Sequence, residues 1–145
     1  LNIRSDEYSG QTKVKPESMA AVEKQLEGRG LSEASDGAVV IDFTNHLPGR
    51  AGKTLAKALL RKKDGTSLYL TRDLEAVFER SYYNFDHMIC VIASDQEIHV
   101  KQLFKIIELT GHKDLLAKGS HVNFGLVLGM STRRGTVKYL DDSLP

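Results

Sequence analysis

Residues 88–111 read MICVIASDQEIHVKQLFKIIELTG, and the division of this stretch decides the fold. It opens with MICVIA, a short apolar run of strand length. From Asp95 to Thr110 the pattern changes. Ile98, Leu103, Ile106 and Leu109, with Gln102 beside Leu103, fall on one side of a helix, and Gly111 ends it. A strand feeding directly into a helix of this length is the building unit of a parallel α/β sheet.

The same alternation extends outward in both directions. Downstream, residues 121–128 form a strand candidate, a glycine-framed loop follows, and TVKYL resumes extended structure. Upstream, residues 17–27 (ESMAAVEKQLE) bring Met19, Val22 and Leu26 together at helical spacing, with Pro16 or Ser18 at the start and Gly28 and Gly30 at the end. GAVVIDF, residues 37–43, follows the turn-like SEASD and reads as a strand. LPGRAGK reads as a loop and ALLRKKDG as a strand and turn. TSLYLTR then reads as a second strand, leading into the helix LEAVFERSYY. The expectation is an α/β chain with a mainly parallel sheet and flanking helices.

At 145 residues the chain can hold one buried core, or part of a larger one. Its 41% hydrophobic and 27% charged residues are ordinary for a globular protein. Lys and Arg number 20 against 19 Asp and Glu, so no global field argues for nucleic acid. Cys90 is the only cysteine, which rules out an internal disulfide and suits a reducing compartment. Its setting in MICVIA favours an unreactive core thiol. No apolar run approaches the roughly 20 residues that cross a bilayer, and no membrane partner is expected. The chain begins without Met and stops after a charged stretch, so both ends are expected to be cuts through a longer protein. Gly49, Gly52, Lys53 and Thr54 imitate a nucleoside-triphosphate loop, but two residues between the glycines are too few for one.

Three groups of residues could carry chemistry. Tyr69, Thr71 and Asp73 end the TSLYLTRD segment, where an open α/β sheet usually places ligands. There Asp73 either caps the following helix or supplies negative charge for a cationic ligand, with Tyr69 as an aromatic wall. Gln96 and His99 lie three apart in the first turn after MICVIA and share a face. Glu97, His99 and His121 lack the helix-spaced second histidine or cysteine that a metal site would need, so no protein metal ligands are assigned. His46, His87 and His112 read as surface or loop residues. The third group is GLVLGMSTRRGTVKYLDD, residues 125–142. Gly125, Gly129 and Gly135 let the chain approach a ligand around Met130, Ser131, Thr132, Arg133 and Arg134. This loop is either a solvated turn or an anion clamp whose hydroxyls and guanidinium groups suit phosphate oxygens.

Taken in order, DEYSG, SDGAVVIDF, DGTSLYLTRD, FDHMICVIASDQEIHVKQLFKIIELTGH and HVNFGLVLGMSTRRGTVKYLDD resemble the catalytic domain of arginyl-tRNA synthetases. These are class I aminoacyl-tRNA synthetases, and the likeness is to the eukaryotic and fungal type. It covers most of the chain. It implies an incomplete Rossmann-like domain, with residues 1–145 forming the later part of the catalytic nucleotide-binding domain. The first class I signature, His-Ile-Gly-His, and the helical anticodon-binding domain are absent from the sequence. The full-length parent is accordingly expected to be the enzyme, with the fragment inactive alone. The alternative is a non-catalytic synthetase-like binding or structural module.

The resemblance also implies residue roles. ATP, with Mg²⁺, activates L-arginine as arginyl-adenylate, and arginine is then ligated to the terminal adenosine of its cognate tRNA. Tyr69, Asp73, Gln96 and His99 match the arginine-binding positions. Asp73 pairs with the guanidinium, Tyr69 packs beside it, Gln96 makes a further contact and His99 lies close by. His121, Asn123, Phe124 and Gly125 match the ATP-side strand. Met130, Ser131, Thr132, Arg133 and Arg134 occupy the phosphate-binding Lys-Met-Ser-Lys-Ser signature. Gly129 and Thr132 stand where that signature has lysine, leaving Arg133 and Arg134 as candidate catalytic cations. Leu128 and Asp95 stand where many relatives have glutamine. Service in the cytoplasm is expected, with a mitochondrial role also open.

Overall fold

The computed structural model describes residues 3–125 together with Gly129, Met130, Gly135, Val137, Tyr139 and Asp141. Helix α1 spans Pro16–Gly28, with Pro16 in the first turn, where its missing N–H has no intrahelical partner to lose. Met19, Val22 and Leu26 are buried, as their spacing predicts. Strands β1 (Glu33–Ser35) and β2 (Ala38–Asp42) are joined through Asp36 and Gly37, both at positive φ. A two-residue loop of that kind matches the twist of an antiparallel hairpin.

After β2, the Asp42 side chain accepts from Thr44 N and caps a short 3-10 turn at Phe43–Asn45. Helix α2 (Gly49–Leu55) comes next, then strand β3 (Lys57–Arg61), which pairs antiparallel with β2. Asp64 accepts from Thr66 N in the following turn, and helix α3 occupies Tyr69–Ser81. Strand β4 (Met88–Ala93) leads through a 3-10 turn at Ser94–Gln96 into helix α4 (Glu97–Leu109). A short helix α5 (Lys113–Lys118) then returns the chain to strand β5 (Gly119–Phe124), parallel to β4.

The core is one cluster. Leu26 from α1, Ile41 and Phe43 from the β2 end, Leu60 from β3, Leu74 from α3 and Ile106 and Ile107 from α4 are all fully buried.

The mainly parallel sheet is corrected by this topology. The described strands form a three-stranded antiparallel sheet, β1-β2-β3, and a separate parallel pair, β4-β5. The two-residue turn after β1 can only return β2 antiparallel. β3 also lies antiparallel to β2 although helix α2 separates them in the chain, and only β5 returns parallel to its neighbour, across the α4–α5 crossover. The SEASD segment holds β1 and is not merely a turn. LPGRAGK lies largely in α2 and is not a loop. TSLYLTR is not a strand, since its second half opens α3. In α4 the inward face is Val100, Leu103, Ile106 and Ile107, and Ile98 is exposed.

Side chains alternate across the β4-β5 pair. Met88 approaches Phe104 of α4 around Gly119, whereas Ile89, Val91, Val122 and Phe124 are exposed on the other side.

Candidate functional site at the parallel strand ends

Helix α3 forms because Leu70, Leu74 and Val77 repeat at helical spacing and are buried. Thr71 is buried with them, and its hydroxyl donates to Leu60 O of β3 at 2.8 Å. This separates residues that a strand would have aligned. Thr71 is fully buried, while Tyr69 is 64% exposed, so the two share no face. Asp73 is the fifth residue of the helix and does not cap it. Tyr69 and Asp73 instead lie one turn apart on the outer flank of α3.

The partner of Asp73 comes from the other side of β4. At the carboxyl end of that strand, Gln96 closes the 3-10 turn with its side chain exposed, and Glu97 opens α4. A hydrogen bond from Lys101 holds the Glu97 carboxyl below its usual range, with the Lys101 charge adding to it. His99 follows in the first turn of α4. Burial of Val100 and Leu103 fixes the rotation of the helix, and His99 Nε2 meets Asp73 Oδ2 at 2.6 Å. A carboxylate only accepts, so this nitrogen carries the proton and donates. Both side chains are partly exposed, His99 at 24% and Asp73 at 31%.

Strand β5 supplies the neighbouring edge. His121 lies opposite Cys90 in the parallel register, and its Nε2 donates to Ile92 O of β4 at 3.0 Å. Phe124 lies opposite Ala93, so Asn123, Phe124 and Gly125 emerge beside the β4–α4 turn, all exposed. Met130 is exposed. Gly129 and Gly135 hold positive φ, a backbone region glycine enters without strain. Ser131, Thr132, Arg133 and Arg134, the phosphate-loop residues expected from sequence, lie outside the described residues.

The structure thus brings Asp73 and His99 into contact, carries Tyr69 on the same helix and sets Gln96 at the adjoining strand end. His46 serves the scaffold, donating to Leu31 O at 3.1 Å, and His112 packs on the Phe78 ring. Burial pushes the Cys90 thiol above its ordinary range, which disfavours the thiolate. Among the described residues no three His, Cys, Asp or Glu side chains are grouped to hold a metal. The direct Asp73–His99 bond was not foreseen. Its signal was the run Leu70, Leu74, Val77, which extends the helical period back through Asp73.

The family described as tRNA synthetases class I (R), catalytic domain, matches the chain over residues 1–145. The chain is 47% identical to the cytoplasmic arginine–tRNA ligase of Saccharomyces cerevisiae, over 99% of its own length and 23% of that protein's. It is 41% identical to the mitochondrial arginine–tRNA ligase of the same yeast, over 99% of the chain and 22% of the relative. Among solved structures, the Plasmodium falciparum arginyl-tRNA synthetase superposes with a TM-score of 0.67 at 27% identity, covering 84% of this chain and 20% of that one. The Thermus thermophilus arginyl-tRNA synthetase shares the fold, with a TM-score of 0.57 at 17% identity, covering 75% of this chain and 24% of that one. The chain therefore spans less than a quarter of these yeast relatives. A family match across all 145 residues and 47% identity to the yeast cytoplasmic protein show that the chain belongs to the catalytic-domain family of class I arginyl-tRNA synthetases.

Proposed function

We propose that this chain is the later part of the catalytic domain of an arginine–tRNA ligase, holding the arginine pocket and one side of the ATP site. The observation that carries the reading is the Asp73 carboxylate. It stands at the parallel strand ends with Oδ2 held by His99, and no hydrogen bond to Oδ1 is present among the described residues. A planar guanidinium presents paired N–H donors that suit such a carboxylate. Tyr69, one turn earlier, offers an aromatic wall, and Gln96 a neutral amide for the remaining polar atoms of the amino acid.

Mg²⁺–ATP enters as substrate from the β5 side, along His121, Asn123, Phe124 and Gly125. The arginine carboxylate attacks the α-phosphorus, pyrophosphate leaves, and arginyl-adenylate remains. A hydroxyl of the terminal tRNA adenosine then attacks the activated carbonyl and AMP departs. Met130, Ser131 and Thr132 are assigned to binding the ATP phosphates, and Arg133 and Arg134 to stabilising the charge that develops there.

Two observations favour a site completed by more of the same protein. The chain covers only 23% of its yeast cytoplasmic relative. The β4-β5 face bearing Ile89, Val91, Val122 and Phe124 is bare, whereas parallel sheets are normally covered on both sides. The His-Ile-Gly-His signature and the anticodon-binding domain belong to the remainder. Cytoplasmic and mitochondrial ligases both number among the relatives, so we assign the protein to the cytoplasm with a mitochondrial role open to it.

Asp73→Asn in the full-length protein tests the reading. Losing one partner of a hydrogen-bonded charge pair costs about 2–5 kcal/mol, so the arginine requirement should rise roughly thirtyfold or more while the ATP requirement holds. Arginine-dependent ATP–pyrophosphate exchange measures both. An unchanged arginine requirement in a folded variant overturns the assignment.

A further inference from the structure

We propose that His99 is a positioning residue that acts on arginine through Asp73 and does not itself touch the substrate. The inference rests on the reading of Asp73 as the arginine carboxylate. His99 Nε2 is already committed to Asp73 Oδ2 at 2.6 Å, so the nitrogen facing α3 is not available to a ligand. Arginine stays protonated at any working pH, so its recognition calls for no proton transfer from an imidazole. What it calls for is a carboxylate held at one angle.

On the partly exposed flank of α3, a lone aspartate would sample several rotamers and lose that freedom on binding. The bond from a second helix removes it beforehand, because Val100 and Leu103 anchor α4 in the core and fix the ring. The ring occupies Oδ2 alone, which leaves Oδ1 of the carboxylate for the guanidinium.

The test is a double-mutant cycle in the full-length protein, read by ATP–pyrophosphate exchange. His99→Ala should raise the arginine requirement by about tenfold, with kcat and the ATP requirement within about twofold, the pattern of lost ground-state binding. His99→Gln, whose amide nitrogen reaches as far as Nε2, should restore near-normal binding, while the shorter His99→Asn should not. In the Asp73→Asn background, His99→Ala should add less than about twofold.

An effect in that background as large as in the wild type would mean that His99 contacts arginine directly or acts through the fold, and overturns the proposal. So does a normal arginine requirement in His99→Ala. If His99→Ala does not fold, the contrast between Gln and Asn decides, and equal behaviour of the two overturns it. A normal arginine requirement in Asp73→Asn alone would instead remove the functional reading, and this inference with it.

Discussion

Glu75 sets a measurable conflict inside the scaffold, two residues beyond Asp73 on the opposite flank of α3. It is only 7% exposed, and Oε2 has no hydrogen-bond partner. Burial pushes its carboxyl above the usual range, and the Glu79 charge one turn on adds to this. The Ser18 hydroxyl and the Arg80 charge act the other way. An unsatisfied buried polar atom costs about 1–3 kcal/mol, and a like-charge pair one helical turn apart about 0.2–0.5 kcal/mol. Glu75→Gln removes the charge and the repulsion but leaves amide hydrogens to satisfy. The net gain should be about 1 kcal/mol, or roughly fivefold in a local equilibrium.

The sign with pH follows from linkage. The folded-state pKa lies above the unfolded value, so the folded chain holds this proton more tightly. Wild-type stability is therefore lost as pH rises from the unfolded carboxylate range through the raised folded value, and is level above it. The advantage of Glu75→Gln should be larger at pH 8 than at pH 4 and shrink towards zero below the unfolded carboxylate range. Hydrogen exchange of α1 and α3 amides in the full-length protein, comparing variant with wild type at each pH, reads local opening directly. Equal protection gains at both pH values would refute the burial argument. A loss of protection at pH 8 would refute it too, placing an ionised Glu75 in a pair with Lys13 or Lys15, which border the same groove of about 670 Å³.

Gly52→Ala should destabilise α2 by about 1–3 kcal/mol, since its Cβ would meet Leu47 O at 2.7 Å and Phe43 O at 2.8 Å, and backbone atoms cannot turn aside. Faster hydrogen exchange in α2, with α1 unchanged, is the expected outcome. Replacing Arg133 and Arg134 together by Ala in the full-length protein should slow single-turnover arginyl-adenylate formation by at least about tenfold, roughly 1.4 kcal/mol, with arginine affinity nearly intact. Unchanged adenylation would assign the loop's cation to another part of the protein.

The β4–α4 unit was legible because its two periods do not overlap: an apolar run, a polar turn, then inward residues every three or four positions. Helix α1 and strand β2 were legible for the same reason. Helix α2 was not. Two of its residues are glycine, and it is held by tertiary contacts that no local pattern announces. Gly52 admits the Phe43 and Leu47 carbonyls, and Leu55 O accepts from Gln102 Nε2 of α4 at 2.8 Å. The antiparallel sheet was missed because β1 is only Glu33–Ser35, too short for alternation to show beside its turn. The site residues were named from a family likeness, and their geometry was beyond local reading. A hydrogen bond between residues 26 apart depends on how α3 and α4 pack.

The misread start of α3 bears directly on the proposed chemistry. In a strand, Tyr69 and Asp73 would stand roughly 13 Å apart, at about 3.3 Å per residue. One arginine head could not meet both. In a helix the same four residues rise about 6 Å, and the two side chains fall on one flank. The helix is held in place by Leu70, Leu74 and the Thr71 bond to Leu60, none of which faces the site. Core packing on one side of α3 thus sets the spacing of wall and carboxylate on the other, and α4 then fixes the carboxylate through His99. On the proposed reading of Asp73, recognition of a planar cation rests on two buried helix faces, so substitutions at Leu74 or Val100 should disturb arginine binding without reaching the ligand.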